Sequence, residues 1–123
     1  MTNLVSIITP VYGTGVDFLA DAYASVVKQD LPDGWAWEWL VQEDGETGEV
    51  AKALPIDDRI SYGEARRGGP GTARTIALGR SRGSLIKVLD VDDQLMPGAL
   101  ARDIEVLESL PDVGWTTSGV LDL

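Results

Sequence analysis

The 123-residue sequence contains no cysteine and no histidine. Without cysteine the chain has no disulfide and no thiolate nucleophile, and without histidine it lacks the usual proton shuttle and the commonest transition-metal ligand. Any acid, base or metal ligand must therefore be a carboxylate, a hydroxyl or a lysine.

Long apolar runs and an excess of basic charge are missing as well. No stretch approaches the roughly 18 residues of a membrane span, and the amino terminus lacks the basic start and small-residue cleavage site of a secretory signal. These absences predict a cytoplasmic protein without a transmembrane segment. The 10 basic and 20 acidic residues give a formal charge of −10, which argues against binding to nucleic acid or anionic membranes.

The composition is otherwise that of one compact domain. Hydrophobic residues make up 44% of the chain and charged residues 24%, which is ordinary for a folded globular protein. We therefore predict a single domain over residues 1–123. This length is near the lower edge for an enzyme with two substrates.

The basic residues are concentrated in one part of the chain. Between positions 59 and 87 there is one acid, Glu64, and the basic residues there are Arg59, Arg66, Arg67, Arg74, Arg80, Arg82 and Lys87. For Arg80 and Arg82, the basic charge fits two interpretations equally well: a binding role, or helix faces and turns that simply alternate in charge. The stretch 66–74 also contains three glycines, and this combination favours an anion site.

Strand and helix patterns alternate along the chain. The predicted strands span 4–11, 37–43, 59–62, 84–89 and 113–120, and the predicted helices span 16–29, 48–54, 70–79 and 97–107. The connections are too long for hairpins. The pattern therefore predicts an α/β fold with a mainly parallel sheet and helices on both faces.

Unusual residues follow three of the predicted strands. The first strand ends in Thr9-Pro10-Val11-Tyr12, the second in Glu43-Asp44-Gly45 and the fourth in Asp90-Val91-Asp92-Asp93. In open parallel sheets, ligands bind at the carboxyl ends of the strands. These segments are therefore the candidate site.

Each segment has a structural alternative. Three carboxylates within four residues repel one another, and Mg²⁺ or Mn²⁺ would offset that repulsion, although a solvated loop that caps the next helix also fits. Asp44-Gly45 forms either a simple turn or a polar contact to a base or ribose. Tyr12 either stacks on an aromatic ring or covers the sheet edge. The alternating Trp35, Trp37 and Trp39 indicate packing rather than a ligand platform.

Two common nucleotide motifs are absent. The glycine-arginine stretch is not a P-loop, and residues 13–18 place Phe18 where the dinucleotide fingerprint needs its last glycine. A helix amino terminus with a nearby Arg74 can still bind a phosphate without either motif.

In their order, these motifs resemble the nucleotide-binding half of the family 2 glycosyltransferases, which have the GT-A fold. The matching segments are 5–12 (VSIITPVY), 43–45 (EDG), 69–74 (GPGTAR) and 89–93 (LDVDD). The resemblance implies a Rossmann-like α/β fold and a nucleoside diphosphate sugar as donor. It also implies a divalent metal, Mn²⁺ or Mg²⁺, and an acceptor that the sequence does not identify.

The resemblance also implies roles for individual residues. Thr9, Pro10 and Tyr12 would line the nucleoside pocket, Asp44 would bond to the base, and Arg74 would lie near the base or diphosphate. Asp92 would be the principal metal ligand, and the remaining two acids, Asp90 and Asp93, would contact ribose, sugar or metal-bound water. The metal would stabilise the departing nucleoside diphosphate, and direct displacement would invert the anomeric carbon.

Family members carry the acceptor site and an acidic general base well downstream of the Asp-x-Asp loop. No residue after Asp93 suits that role, since Glu105 and Glu108 lie on a predicted helix and are expected to be solvated. We therefore predict that residues 1–123 are the donor-binding fragment of a longer enzyme, with its catalytic base after Leu123.

Three other functions stay open. Asp90-Val91-Asp92 imitates the nucleophile and acid of a haloacid-dehalogenase-like phosphatase, although that motif normally follows the first strand and Gln94 is atypical for it. A phosphoacceptor receiver or other regulatory domain would need acids after the first strand. A nucleotide-binding module without catalytic activity is the third alternative.

Overall fold

Four parallel strands form the central sheet of the computed structural model, which describes residues 3–109 and 120–122. The strands are β1 (Asn3–Val11), β2 (Trp35–Asp44), β3 (Ile60–Ala65) and β4 (Leu85–Val88). Their spatial order is β3-β2-β1-β4. Strands β2 and β3 thus lie on one side of β1, and β4 lies on the other side. This confirms the predicted parallel sheet and places its topological switch point beside the end of β1.

Four α-helices connect or follow the strands. They are α1 (Leu19–Val27), α2 (Glu49–Ala53), α3 (Pro70–Gly79) and α4 (Ala99–Ser109). A 3-10 helix over Gly13–Phe18 precedes α1, and a short antiparallel pair is formed by β5 (Asp93–Leu95) and β6 (Val120–Asp122). In the part of the chain described, no helix has the length and apolar character to cross a bilayer.

Helix boundaries differ from the predictions where the backbone turns at a glycine. The first helix begins as a 3-10 turn after Gly13, which has φ +59°, and becomes α-helical only at Leu19. The last helix begins at Ala99 rather than Pro97, because Gly98 has φ +78°. Strand β5 was not predicted, since three residues are too few to show a period. Most of the predicted strand 113–120 lies outside the described residues.

The two faces of the sheet pack against different helices. Alternate residues of β1 and β2 form the main core with α1 and α4, which contains Val5, Ile7, Val11, Leu19, Ala22, Val26, Trp37, Trp39, Val41, Leu100 and Ile104. On the opposite face, Ile8 and Leu40 pack against Ala77 of α3. Helices on both faces are thus confirmed. Trp37 and Trp39 are buried and Trp35 packs against the same core, so the tryptophans have the predicted packing role.

Candidate functional site

A cavity of about 480 Å³ opens at the carboxyl ends of β1, β2 and β4. Of the eight predicted site residues, six line it: Pro10, Tyr12, Asp44, Arg74, Asp90 and Asp92. Five of the six lie at or just after the ends of three parallel strands, at the same edge of the sheet, and Arg74 lies on α3. This edge includes the switch point, where open α/β sheets bind their ligands.

Thr9 and Asp93 do not line this cavity. Thr9 is 0% exposed and faces the main core, where its Oγ1 accepts a hydrogen bond of 2.8 Å from the Trp39 indole. Asp93 begins β5, and its backbone N–H donates to the Asp90 carbonyl over 3.0 Å. Thr9 therefore positions a core tryptophan, and the Asp93 backbone closes the acidic loop.

Asp44 joins the end of β2 to the start of α3. Its Oδ1 accepts hydrogen bonds from the Gly68 and Gly69 amides at 2.8 and 3.2 Å, and its Oδ2 accepts from Gly69 at 3.1 Å. Gly69 has φ +96°, a conformation that favours glycine. Asp44 therefore holds Gly68 and Gly69, the two residues just before α3. Its carboxylate keeps unused lone pairs, so it can also accept a hydrogen bond from a ligand.

Glu43, the residue before Asp44, organises the following turn. Its carboxylate accepts hydrogen bonds from the Thr47 amide and hydroxyl at 2.9 and 2.8 Å, from the Gly48 amide at 3.3 Å and from the Tyr62 hydroxyl at 3.1 Å. Burial alone would raise the pKa of Glu43, but these hydrogen bonds outweigh burial and lower it. Burial raises the pKa of Tyr62, and the hydrogen bond from its hydroxyl to Glu43 raises it further.

Two arginines form the basic side of the cavity. Arg74 of α3 makes an ion pair with Asp90, with 3.1 Å between Nη2 and Oδ1. The buried Nε of Arg74 has no hydrogen-bond partner among the described residues, so this donor is available. Arg67 lies over the ring of Tyr12, with its guanidinium carbon 3.9 Å from the ring centroid. The Arg67 contact was not predicted from the sequence, because it joins two segments far apart in the chain.

The acidic loop is packed against the 3-10 helix. A Cβ added at Gly15 would lie 2.9 Å from Val91 Cγ1 and 3.3 Å from Val11 Cγ1. Only a glycine at position 15 therefore allows the loop to lie this close to the end of β1. The contact between Gly15 and Val91 was not predicted, because it joins two segments far apart in the chain.

Two carboxylates of the loop suit a hard cation. Asp90 and Asp92 both line the cavity, and Mg²⁺ or Mn²⁺ is commonly bound by one or two carboxylates, with water and phosphate oxygens completing the shell. Within residues 3–109 and 120–122, no group of three Asp or Glu side chains is arranged to hold a metal ion by itself. The donor set therefore fits a cation that is shared with a phosphate ligand, rather than a cation held by the protein alone.

The fold and the cavity define an α/β protein whose switch-point site can hold an anionic ligand together with a cation. A family model for glycosyl transferase family 2 matches residues 6–118, and the chain belongs to this family. Its curated relatives include the O-antigen biosynthesis protein RfbC of Myxococcus xanthus, which is 34% identical over 105 residues, covering 80% of this chain and 8% of RfbC. Another is the glycosyltransferase GlyG of Streptococcus pneumoniae, 28% identical over 99 residues, covering 76% of this chain and 31% of GlyG.

Solved structures show the same fold. S. aureus TarS 1–349 in complex with UDP-GlcNAc superposes with a TM-score of 0.72 at 23% identity, over 89% of this chain and 32% of TarS. The mannosyltransferase PcManGT of Pyrobaculum calidifontis, in complex with GDP-Man and Mn²⁺, gives 0.71 at 21% identity, over 87% of this chain and 33% of PcManGT. The chain therefore has the GT-A fold of these transferases. It spans 8% to 31% of the length of the two curated relatives named.

Proposed function

We propose that residues 1–123 form the donor-binding part of a glycosyltransferase that uses a nucleoside diphosphate sugar. The observation that carries this proposal is the convergence of Asp90, Asp92 and Arg74 in one switch-point cavity. Two carboxylates for a cation beside a guanidinium for an anion match the chemistry of a metal-bound diphosphate. The UDP-GlcNAc complex of TarS and the GDP-Man complex of PcManGT support this ligand class.

Different cavity residues contact different parts of the donor in this proposal. Tyr12, which is 53% exposed, offers a ring on which the base stacks. Asp44 accepts a hydrogen bond from the base through its free lone pairs. Arg74 donates to a diphosphate oxygen through Nε, the buried donor that has no partner among the described residues. Pro10 lines the cavity beside Tyr12, and we assign no direct donor contact to Thr9 or Asp93.

Asp92, supported by Asp90, would hold Mn²⁺ or Mg²⁺. When bound, such a cation supplies Lewis-acid stabilisation of the negative charge on the departing nucleoside diphosphate. Arg74, which lines the same cavity, would add a second positive group for the diphosphate. A nucleophile that attacks the sugar from the face opposite the diphosphate inverts the anomeric carbon, so we propose an inverting transfer.

The general base and the acceptor site belong to another part of the enzyme in this proposal. The carboxylates that line the cavity all lie on the donor side, where Asp44 binds the Gly68 and Gly69 amides and Asp90 pairs with Arg74. We therefore place the base downstream of Leu123. The cytoplasmic location remains a prediction from the sequence.

The family match and the fold weaken the rival functions. A haloacid-dehalogenase-like phosphatase and a receiver both need an acid directly after the first strand. Here the first strand ends at Val11, and the Asp90-Val91-Asp92 motif follows β4 instead. A nucleotide-binding module without transferase activity differs from the proposed glycosyltransferase in one result. It would bind the donor but transfer no sugar once the acceptor is supplied.

Calorimetric titration of UDP and of GDP into the chain, with and without Mn²⁺, tests the proposal. We expect one nucleotide to bind in a Mn²⁺-dependent manner, and Asp92→Asn to weaken that binding at least about tenfold, equal to about 1.4 kcal/mol. Asp93→Asn is the matched control, since it removes the same charge from the next residue, outside the cavity lining, and it should leave the affinity within about twofold. A folded chain that binds neither nucleotide with Mn²⁺ would contradict the proposal.

A further inference from the structure

Two polar side chains at the end of α1 bind the backbone of a distant segment. Ser25 and Gln29 are each 7% exposed. Ser25 Oγ accepts a hydrogen bond of 3.0 Å from the Leu95 amide. Gln29 uses both ends of its amide, since Nε2 donates to the Met96 carbonyl at 2.9 Å and Oε1 accepts from the Leu100 amide at 3.1 Å.

The two side chains are themselves held in place by α1. Ser25 Oγ donates to the Ala22 carbonyl at 2.7 Å, and Gln29 Nε2 also donates to the Ser25 carbonyl at 3.2 Å. Each side chain therefore bonds both to a carbonyl of α1 and to the backbone of the segment 95–100. The pair is buried, so water does not readily replace these bonds.

The segment that they bind follows the acidic loop directly. On its first side the loop is anchored to the sheet, because the Leu89 amide donates to the Ile8 carbonyl over 2.9 Å. On its second side the only regular structure before α4 is β5, which has three residues. The bonds from Ser25 and Gln29 anchor that side together with Leu95 and Leu100, which are buried in the main core.

We propose that Ser25 and Gln29 are positioning residues that set the geometry of Asp90 and Asp92, and through it the affinity of the donor cavity for its divalent cation. This inference rests on the proposed function. Neither residue lines the donor cavity, so any effect on cation binding is indirect, and the segment 95–100 joins both residues to the acidic loop. A glutamine suits position 29 because its amide can donate to the Met96 carbonyl and accept from the Leu100 amide at the same time.

The test measures the Mn²⁺ concentration that half-saturates UDP or GDP binding, using whichever nucleotide the wild-type chain binds. Gln29→Met keeps the length of the side chain and removes its three hydrogen bonds, to Ser25, Met96 and Leu100. We expect it to raise the half-saturating Mn²⁺ concentration by about tenfold, the lower end of the effect of outer-shell partners on metal affinity. Ser25→Ala should act in the same direction, and Ser25→Thr, which keeps the hydroxyl, should restore most of the affinity.

Tyr23→Phe is the matched control on the same helix. It removes the bond of 2.7 Å from the Tyr23 hydroxyl to Asp57, which precedes β3 and lies outside the donor cavity. This variant should lose thermal stability without changing the half-saturating Mn²⁺ concentration. A merely structural role for Gln29 predicts the same behaviour for Gln29→Met, and that result would overturn the inference.

The outcomes separate the inference from the function on which it rests. If the wild-type chain binds neither nucleotide with Mn²⁺, both are overturned. If the wild type binds and Gln29→Met or Ser25→Ala binds Mn²⁺ and nucleotide equally well, only the positioning role is overturned. Far-UV circular dichroism at the assay temperature shows which variants are folded, and where Gln29→Met is unfolded, the Ser25→Ala and Ser25→Thr pair decides.

Discussion

The two faces of the sheet are stabilised in different ways. The face toward α1 and α4 buries large apolar side chains, among them Trp39 and Leu100. The face toward α3 buries an apolar cluster of Ile8, Leu40 and Ala77 beside polar side chains. Apolar packing is not directional, whereas hydrogen bonds are. The hydrogen bonds on the α3 face therefore fix the orientation of α3, the helix from which Arg74 lines the cavity at the carboxyl ends of β1, β2 and β4.

Two groups of polar side chains lie on the α3 face. In the first, Glu38 accepts hydrogen bonds from the Ser6 hydroxyl at 2.6 Å and from the Arg82 amide at 2.8 Å. In the second, the Arg80 guanidinium donates to the Gln42 side chain, to the Val41 carbonyl at 3.1 Å, and to both the hydroxyl and the carbonyl of Ser61 at 3.0 and 3.1 Å. Both groups lie where the chain leaves α3 and approaches β4.

The largest effect should come from breaking the apolar face. Trp39 is 0% exposed and bonds to Thr9, so Trp39→Ala leaves a large cavity and an unpaired buried hydroxyl. We expect a loss of about 3–5 kcal/mol in the free energy of unfolding, measured by urea denaturation. Trp39→Phe, which keeps an aromatic ring, should lose less. A loss below about 1 kcal/mol for Trp39→Ala would show that this face does not dominate stability.

Breaking the polar face should cost less. Arg80→Met keeps an apolar stem and removes the donors to Gln42, Val41 and Ser61. We expect a loss of about 1–3 kcal/mol in the same assay, because the buried Gln42 and Val41 oxygens and the half-buried Ser61 then lose this donor. Arg80→Lys is the control that keeps the charge, and it should recover little, since one ammonium cannot reproduce a planar fork of donors. Equal stability of Arg80→Met and wild type would mean that this network is not needed to hold α3.

The smallest effect should appear as a pH dependence from Glu38 on the polar face. Burial would raise the pKa of Glu38, but the hydrogen bonds from Ser6 and Arg82 outweigh burial and lower it. The unfolded chain then binds a proton at higher pH than the folded chain does. The stabilisation from Glu38 is therefore fully present above the ordinary glutamate pKa of about 4.3 and is lost as the pH falls through the lower folded value.

Glu38→Gln tests this dependence. Between about pH 5 and pH 3, the variant should lose less stability than the wild type, since one of the groups that must be protonated is gone. Urea denaturation at several pH values measures the slope. Identical slopes for the two proteins would show that Glu38 ionisation does not contribute. The chain contains no histidine. None of its side chains therefore has an ordinary pKa between about 5 and 8.

The sequence was informative where local chemistry sets the structure. Pro70 and Gly79 mark the ends of α3 as predicted, and the strand ends brought six of eight predicted residues to one cavity. The position of Thr9 follows from strand alternation, since it shares a face with Ile7 and Val11, but its motif suggested a ligand contact instead. The bonds that join Gln29 and Arg80 to other elements could not be predicted, because their partners there lie 19 or more residues away in the chain.

A crystal structure of the chain grown with Mn²⁺ and the nucleotide that binds more tightly tests the donor cavity most directly. We expect an anomalous Mn²⁺ signal at Asp92, with the diphosphate between that ion and Arg74 and the base beside Tyr12 and Asp44. Nucleotide bound elsewhere on the sheet, or Mn²⁺ bound away from Asp90 and Asp92, would contradict the assignment of this cavity as the donor site.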